Sequence, residues 1–387
     1  MVKGAEILVR LVGNGVFGTP LSMPVGTVMT DELLAQVFDL AKAHDVAHIV
    51  ASALDKNNLL FGSSFEGLYR EQMYDAVIKS ENQSFVLRKI SEAFEKAQIS
   101  HIPLKGSVIK ELYPESWMRT SCDIDILIHK EDLSAASEVL CKELDFVKEK
   151  ESSHDVSFVN SGKVCIELHF TLMEKEKSKL FGNITDRVWD FAAPQSNGYR
   201  YILKNEMVYF YHIAHMARHF RSGGCGVRPF VDLQLMINSR KYRTDEANQL
   251  LEEAGLVAFA DCVEKQSGVW FSGEKHNDTT LLIEEYILEG GSFGSEQTRL
   301  KAEKQIHESE EKYVLSRLFV PSAYFKNNYP IVNKYKFLLP FFQIYRIFSF
   351  AFGKKKDFRK NRLEKMKNIT ENENEKTKLL FEKLGLK

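Results

Sequence analysis

The stretch "TSCDIDILIHK" at residues 120–130 begins like a surface loop and continues as a buried strand. The apolar run at 126–128 predicts a strand that enters the core. Two acids, Asp123 and Asp125, stand at the start of that strand with one isoleucine between them. Because side chains alternate along a strand, the two carboxylates share one face, roughly 7 Å apart. A strand bound for the core therefore begins with two acids on one side.

Two ionised carboxylates at this spacing repel each other, and a cation between them relieves the repulsion. Carboxylate oxygens suit Mg²⁺, which combines one or two protein carboxylates with substrate phosphates. The alternative is a solvated strand edge or a turn, which needs no ligand.

A third acid lies in a similar setting, because Glu167 interrupts the apolar strand "VCIELHF" at 164–170. A buried acid needs a partner. If this strand lies beside "DIDILI", the three carboxylates converge, and two divalent ions held there can clamp a phosphoryl transfer. Alternatively, Glu167 faces water together with Cys165 and His169.

The sequence around these acids predicts an α/β unit over 99–175. A strand at "HIPLKG", a short helix at "SVIKELYP", the strand "DIDILI", a helix at 131–146 and a hairpin turning at Ser161-Gly162 follow in order. This order predicts a mixed sheet. We expect a helical region over 1–98, a helical substrate-side domain over 176–325, and a basic aromatic segment and tail over 326–387.

The turn at Gly106-Ser107 joins the first predicted strand to the short helix. Glycine allows a close backbone approach, and the free N–H groups of a helix start attract anions. Ser107 can also bond a phosphate oxygen. An ordinary turn with a serine N-cap explains the same residues.

The three motifs in this order resemble the polymerase-β-like nucleotidyltransferase superfamily. The chain is most similar to a bacterial family named only uncharacterised nucleotidyltransferase, through Lys105 and Gly106, Tyr113-Pro114, Arg119, "DIDILI" and "ELH" at 167–169. The resemblance implies an α+β fold with a polymerase-β-like core, a mixed sheet with flanking helices, between N- and C-terminal helical regions.

The resemblance also implies a mechanism. Asp123 and Asp125 hold two Mg²⁺ ions, Glu167 binds one ion and helps activate the acceptor hydroxyl, and Gly106 and Ser107 hold the triphosphate. A nucleoside monophosphate passes from an NTP, with ATP favoured, to a hydroxyl on a small molecule, protein or RNA, and pyrophosphate leaves.

Three further residues near the motifs are candidates. Lys105 and Arg119 are candidate cations for the triphosphate, and solvated surface charge is the alternative. His169 shares the face of Glu167 and can bind a phosphate or position the acceptor; the alternative is a partly buried strand histidine.

The stretch "YHIAHMARHF" places His212, His215 and His219 on one side of a helix. No neighbouring cysteine or acid completes a zinc set. The family has a similar helix followed by an arginine and an aspartate, here Arg228 and Asp232. His215, His219 and Asp232, with His169, are therefore expected to line a substrate pocket; a helix packed on the sheet is the alternative.

Composition excludes several classes of protein. The 387 residues carry a net charge of −1, which argues against a nucleic-acid coat protein. Five scattered cysteines and the absence of a secretory pattern predict a cytosolic protein with reduced thiols. The charge is not evenly distributed, because residues 326–367 hold twelve Lys/Arg and only two Asp/Glu.

Inside that basic segment, "FLLPFFQIYRIFSFAF" at 337–352 is too short and broken to span a bilayer. Aromatic residues beside lysines suit peripheral contact with anionic lipid, or an RNA acceptor. The alternative is a helix packed on the helical domain. A non-catalytic nucleotide-binding or membrane-associated scaffold, and an RNA-directed transferase, therefore remain open as functions.

Overall fold

A computed structural model describes residues 3–174, 178–195, 198–307, 310–320, 322, 324–325, 329, 331–352 and 356–386. The N-terminal region is helical, as predicted. Its elements are α1 (Lys3–Phe17), α2 (Asp31–Ala43), α3 (Ala47–Lys56) and α4 (Glu66–Lys96). The Thr30 hydroxyl caps α2 by accepting a hydrogen bond from the Leu33 N–H.

The predicted α/β unit is present as a five-stranded mixed sheet. Its elements are β1 (His101–Pro103), α5 (Gly106–Ile109), β2 (Asp123–Ile128), α6 (Leu133–Glu143), β3 (Val147–Glu151), β4 (Asp155–Val159) and β5 (Cys165–His169). The strand order is β1-β2-β5-β4-β3. Strands β2 and β5 pair in parallel, and the other pairs are antiparallel.

Strand β3 was not predicted. Its sequence, "VKEKE", has no apolar alternation, because all five residues are exposed at the edge of the sheet. Charged residues at such an edge hinder pairing with another chain.

One face of the sheet is apolar and packs against helices. Ile124 and Ile126 of β2 and Ile166 of β5 join a cluster with residues of α4 and α6, such as Phe94 and Leu140. Because the side chains alternate, the acids of β2 and β5 point to the opposite face.

A second, larger core is formed by helices that precede the sheet in the chain together with helices that follow it. The chain after the sheet first forms a two-stranded hairpin, β6 (Ala192–Pro194) and β7 (Tyr201–Leu203). Five helices come next: α7 (Asn205–Arg221), α8 (Arg228–Ser239), α9 (Asp245–Glu253), α10 (Val257–Phe271) and α11 (Asp278–Gly290). Their apolar side chains pack with those of α1–α3 and with Ile102 and Leu127 of the sheet. The acid-bearing face of the sheet thus adjoins this helical body. The domain boundaries at 98, 175 and 325 remain predictions.

The C-terminal part is helical in the residues described. It contains α12 (Glu296–His307), α13 (Glu310–Leu318), α14 (Ile331–Lys334), α15 (Leu339–Phe352), α16 (Lys356–Lys367) and α17 (Glu371–Lys383). Short 3₁₀ turns at Lys110–Leu112, Ser116–Met118, Lys130–Asp132, Lys179–Phe181, Ile184–Phe191 and Lys336–Leu338 connect other elements. Among the described helices, none combines the length and apolar character that crossing a bilayer requires.

Candidate functional site

Three carboxylates lie on one face of two neighbouring strands. In the parallel pairing of β2 with β5, Asp125 is opposite Glu167, and Asp123 is opposite Cys165. The predicted neighbourhood of the two strands is therefore confirmed. The acids differ in access: the side chain of Asp125 is 5% exposed, and that of Glu167 is 34% exposed.

Asp125 is held by two cationic side chains. Its Oδ1 accepts hydrogen bonds from Lys105 Nζ and from His169 Nε2, each at 2.7 Å. Burial raises the pKa of the Asp125 carboxyl, but Lys105 and His169 outweigh burial and hold it well below its usual range. Asp125 is therefore ionised at neutral pH.

Asp123 experiences the opposite balance. Burial, followed by repulsion from Asp125 and Glu167, raises the pKa of the Asp123 carboxyl to about 6. Lys105 and His169 offset this only in part. The group of acids thus carries more negative charge than its own cations neutralise, which favours a further bound cation.

His169 connects the acids to the neighbouring strand. Burial lowers its pKa, but hydrogen bonding to Asp125 and Glu167 outweighs burial and raises it to about 9. The second ring nitrogen, Nδ1, is buried and has no hydrogen-bond partner in the described structure. This buried nitrogen can serve as a metal ligand only in the neutral ring, so an ion bound there would displace the His169 proton.

Two groups of side chains bring donor atoms close enough to hold a metal ion. The first is Asp125, Glu167 and His169, and the second is His154, Asp155 and His169. Within each group the ligand atoms lie within 4.8 Å of one another. Asp123 is absent from both groups, although the sequence predicts it as a ligand.

The turn before α5 has a strained backbone at Lys105. Its φ of 46° with ψ of −117° lies in a region that favours glycine. Lys105 occupies the N-cap position of α5, so the alternative of a Ser107 N-cap is wrong. Ser107 lies one residue inside the helix and donates its N–H to the Leu104 carbonyl. A Cβ on Gly106 would lie 3.2 Å from the Ser121 Cβ, so any larger residue here would require Ser121 to shift by a few tenths of an ångström.

Arg119 is buried and paired, and is not solvated surface charge. Its Nε donates to both carboxylate oxygens of Asp232, at 2.8 and 3.0 Å, and Tyr113 Oη donates to Asp232 Oδ1 at 2.6 Å. A second arginine, Arg228, donates to Asp45 and to the Thr120 carbonyl. These contacts tie the segment before β2 to helix α8 and to the N-terminal helices.

A cavity of about 80 Å³ lies beside this network. Its lining includes Lys105, Arg119 and Asp232, with Tyr211 and His215 from α7. Two of the four predicted pocket residues, His215 and Asp232, therefore line one cavity.

The other two predicted pocket residues contact other groups. His169 hydrogen-bonds Asp125, and His219 Nε2 lies 3.3 Å from His215 Nε2. His212 Nε2 contacts the Pro229 carbonyl, so the α7 histidines are in part packing residues.

Sequence reasoning missed Tyr113, His154 and Asp155 as candidates. His154 and Asp155 had a signal, because in the predicted hairpin they are as far before the turn as His169 is after it. Asp155 indeed pairs with His169 across β4 and β5. Tyr113 was noted only as part of a family motif, and its partner Asp232 lies 119 residues further on.

Comparison with known proteins gives one match. The model of a family described as uncharacterised nucleotidyltransferase matches residues 32–264, which include the sheet, the acids, the cavity and helix α8. No curated protein and no solved structure matches the chain.

Proposed function

The chain belongs to this uncharacterised nucleotidyltransferase family, and we propose that it transfers a nucleoside monophosphate from an NTP to a hydroxyl acceptor. The observation that carries the proposal is the convergence of Asp123, Asp125 and Glu167 on one face of β2 and β5. We further propose that two Mg²⁺ ions bind at this site and that ATP is the nucleotide donor.

The residues present fit a divalent metal ion. Oxygen donors come from Asp125 and Glu167. Burial, followed by the negative charge of Asp125 and Glu167, raises the pKa of Asp123, and a bound cation would offset that charge. A divalent ion bound there supplies charge neutralisation on the phosphate oxygens during transfer. An imidazole in the donor set also suits Mn²⁺, so both metals belong in the tests.

The proposed reaction forms one bond and breaks one. The acceptor oxygen attacks the α-phosphorus, and the bond from that phosphorus to the bridging oxygen of pyrophosphate breaks. Glu167 receives the hydroxyl proton in this proposal, because its side chain is the accessible one of the Asp125–Glu167 pair. Lys105, at the edge of the acids, supplies positive charge toward the triphosphate beside Gly106 and Ser107.

The acceptor is proposed to enter the cavity beside Lys105. Its walls combine apolar side chains, such as Val108 and Ile109, with the histidine His215. Burial, followed by repulsion from His219 and Arg218, lowers the pKa of His215 well below its usual value. His215 is therefore neutral and can either donate or accept a hydrogen bond. Asp232 acts here through Arg119, which it holds in the cavity wall.

The test supplies α-labelled ATP, GTP, CTP or UTP, in turn, with Mg²⁺ or Mn²⁺ and a cell extract. We expect α-label to become attached to an acceptor, while γ-label from a parallel reaction is recovered as pyrophosphate. Retention of α-label only in free nucleotides, for all four donors and both metals, would contradict transfer and favour a nucleotide-binding scaffold.

The fraction that holds the label identifies the acceptor class. Label in small molecules, in protein or in RNA separates the three possibilities, and label in RNA supports an RNA-directed transferase. The Asp125→Asn variant serves as the background, because extract enzymes act equally in both reactions.

A further inference from the structure

The C-terminal segment exposes an apolar stripe that the transfer reaction does not use. On α15, Phe341, Ile344 and Tyr345 are 65%, 52% and 61% exposed, at the i, i+3, i+4 spacing of one helix face. Phe337, in the turn before α15, is 69% exposed. We call these four residues the aromatic stripe.

The opposite side of α15 packs on the protein and fixes the orientation of the stripe. Gln343 Nε2 donates to the Leu318 carbonyl of α13, and the Phe342 ring centroid lies 4.6 Å from that of Tyr329. The Arg346 guanidinium lies 4.5 Å from the centroid of the Tyr324 ring. The sequence alternative, a helix packed on the helical domain, therefore agrees with this side of α15.

Basic residues lie close to the aromatic stripe in sequence. Lys334 and Lys336 are exposed immediately before it. Over 326–367 the sequence has a net charge of +10, from twelve Lys/Arg and two Asp/Glu. Some of these basic residues form ion pairs, among them Arg362 with Glu303, Lys365 with Glu296 and Lys360 with Glu364. The remaining balance stays strongly positive and complements an anionic surface.

We propose that the aromatic stripe and its lysines bind the surface of an anionic lipid membrane. The 14 residues of α15 span about 21 Å, which is less than the hydrocarbon thickness of a bilayer. The helix therefore lies in the interface, with its apolar side chains toward the acyl chains and the lysines at the headgroups. Ile344 at the centre of the stripe favours lipid over RNA, because bases stack on aromatic rings and not on aliphatic side chains.

The test is flotation of the full chain with vesicles of phosphatidylcholine alone and of phosphatidylcholine mixed with phosphatidylserine. We expect at least about tenfold more protein to float with the anionic vesicles. The double variant Phe341→Asp with Ile344→Asp should lose at least about tenfold of this binding. The double variant Lys334→Glu with Lys336→Glu should remove most of the preference for anionic lipid.

The matched control is Phe61→Asp, since Phe61 is 88% exposed in the turn between α3 and α4, outside the stripe. It should float like the wild type. Because all the substituted side chains are exposed, each variant should keep the wild-type unfolding temperature. The proposal is independent of the transferase proposal, so transfer without vesicles should be equal in the stripe variant and the wild type.

Three results would overturn the proposal. The first is absence of flotation with either vesicle, and the second is equal flotation of the stripe variant and the wild type. The third is a stripe-dependent dimer, or a stripe-dependent shift of single-stranded RNA, without vesicle binding. That third result would assign the surface to a second copy of the chain or to nucleic acid.

Discussion

Two buried aspartates, Asp125 and Asp232, each accept hydrogen bonds from a cation, yet the charge around them is balanced differently. Asp232 pairs with Arg119, and the neighbouring Arg228 pairs with Asp45, so two acids meet two arginines. Around Asp125, three acids meet Lys105 and His169, which leaves negative charge even when the histidine is protonated.

This difference distinguishes a carboxylate that stabilises the fold from one that takes part in the proposed reaction. The side chains of Arg119 and Asp232 are 9% and 1% exposed, and their opposite charges pair with each other without any ligand. The Lys105 side chain is 27% exposed, and the acids beside it retain charge that an added cation can neutralise. We therefore expect Asp232 to govern stability and Asp125 to govern activity.

The largest expected effect is on catalysis. Asp125→Asn should lower the rate of transfer by at least about 10⁴-fold, on the order of 5 kcal/mol in the barrier, because the buried metal ligand loses its charge. Its free energy of unfolding should change by less than about 2 kcal/mol, because Asp123 and Glu167 remain near the two cations. Labelled transfer and urea unfolding measure the two quantities.

The control for that variant is Glu131→Gln, which removes an exposed acid just beyond the other end of β2. It should leave the rate unchanged. If Asp125→Asn transfers within about tenfold of the wild type, Asp125 is not a metal ligand in the reaction.

The next effect is on stability. Asp232→Asn should lower the free energy of unfolding by about 3–5 kcal/mol, because Arg119 stays buried without a counter-charge. Asp45→Asn removes the other acid of the network, but its side chain is 43% exposed, so it should cost less than about 1 kcal/mol. Urea unfolding of both variants measures the difference; equal stability of Asp232→Asn and the wild type would contradict the structural role.

Metal binding should distinguish the two candidate ligand groups. Adding Mg²⁺ or Mn²⁺ at about a hundred times its Kd should raise the free energy of unfolding by about 3 kcal/mol, because the ion binds only the folded chain. Glu167→Gln should remove this gain, whereas Asp155→Asn should keep it. Thermal unfolding with and without metal gives the answer, and the reverse pattern would place the metal at His154, Asp155 and His169.

The convergence of the acids could be predicted from the sequence, because alternation along a strand is a local property. Asp123 and Asp125 share a face for this reason. Glu167 was expected to join them if its strand lay beside β2, and β5 does lie there. The mixed sheet followed from a different property, the order of the predicted strands and helices along the chain. Strand β3 did not follow, since an exposed charged edge strand carries no apolar pattern.

The Arg119–Asp232 pair could not be predicted as a pair, because its members lie 113 residues apart in sequence. Each residue was predicted separately to lie near the substrate, and only the packing of α8 against the segment before β2 joins them. The turn at Lys105 illustrates a second limit. A positive φ at a lysine depends on surrounding contacts, so a serine N-cap was the simpler expectation.

The smallest effect concerns pH and should be measured in the presence of a chelator. His169 has a pKa raised from 6.5 to about 9, because hydrogen bonding to Asp125 and Glu167 outweighs its burial. Its contribution to stability is therefore complete below pH 6.5 and is lost as the pH rises through about 9. Between pH 7 and about pH 9 the free energy of unfolding of the wild type should fall by about 2 kcal/mol, a loss that His169→Gln should not show.

The Asp232 network should add nothing to this loss, because the pKa of Asp232 is lowered and its carboxyl titrates only in acid. Parallel pH profiles of urea unfolding test this prediction. If the free energy of unfolding of both proteins changes equally with pH, His169 is not protonated beside Asp125. The three acids would then carry more net negative charge than the contrast with Asp232 assumes.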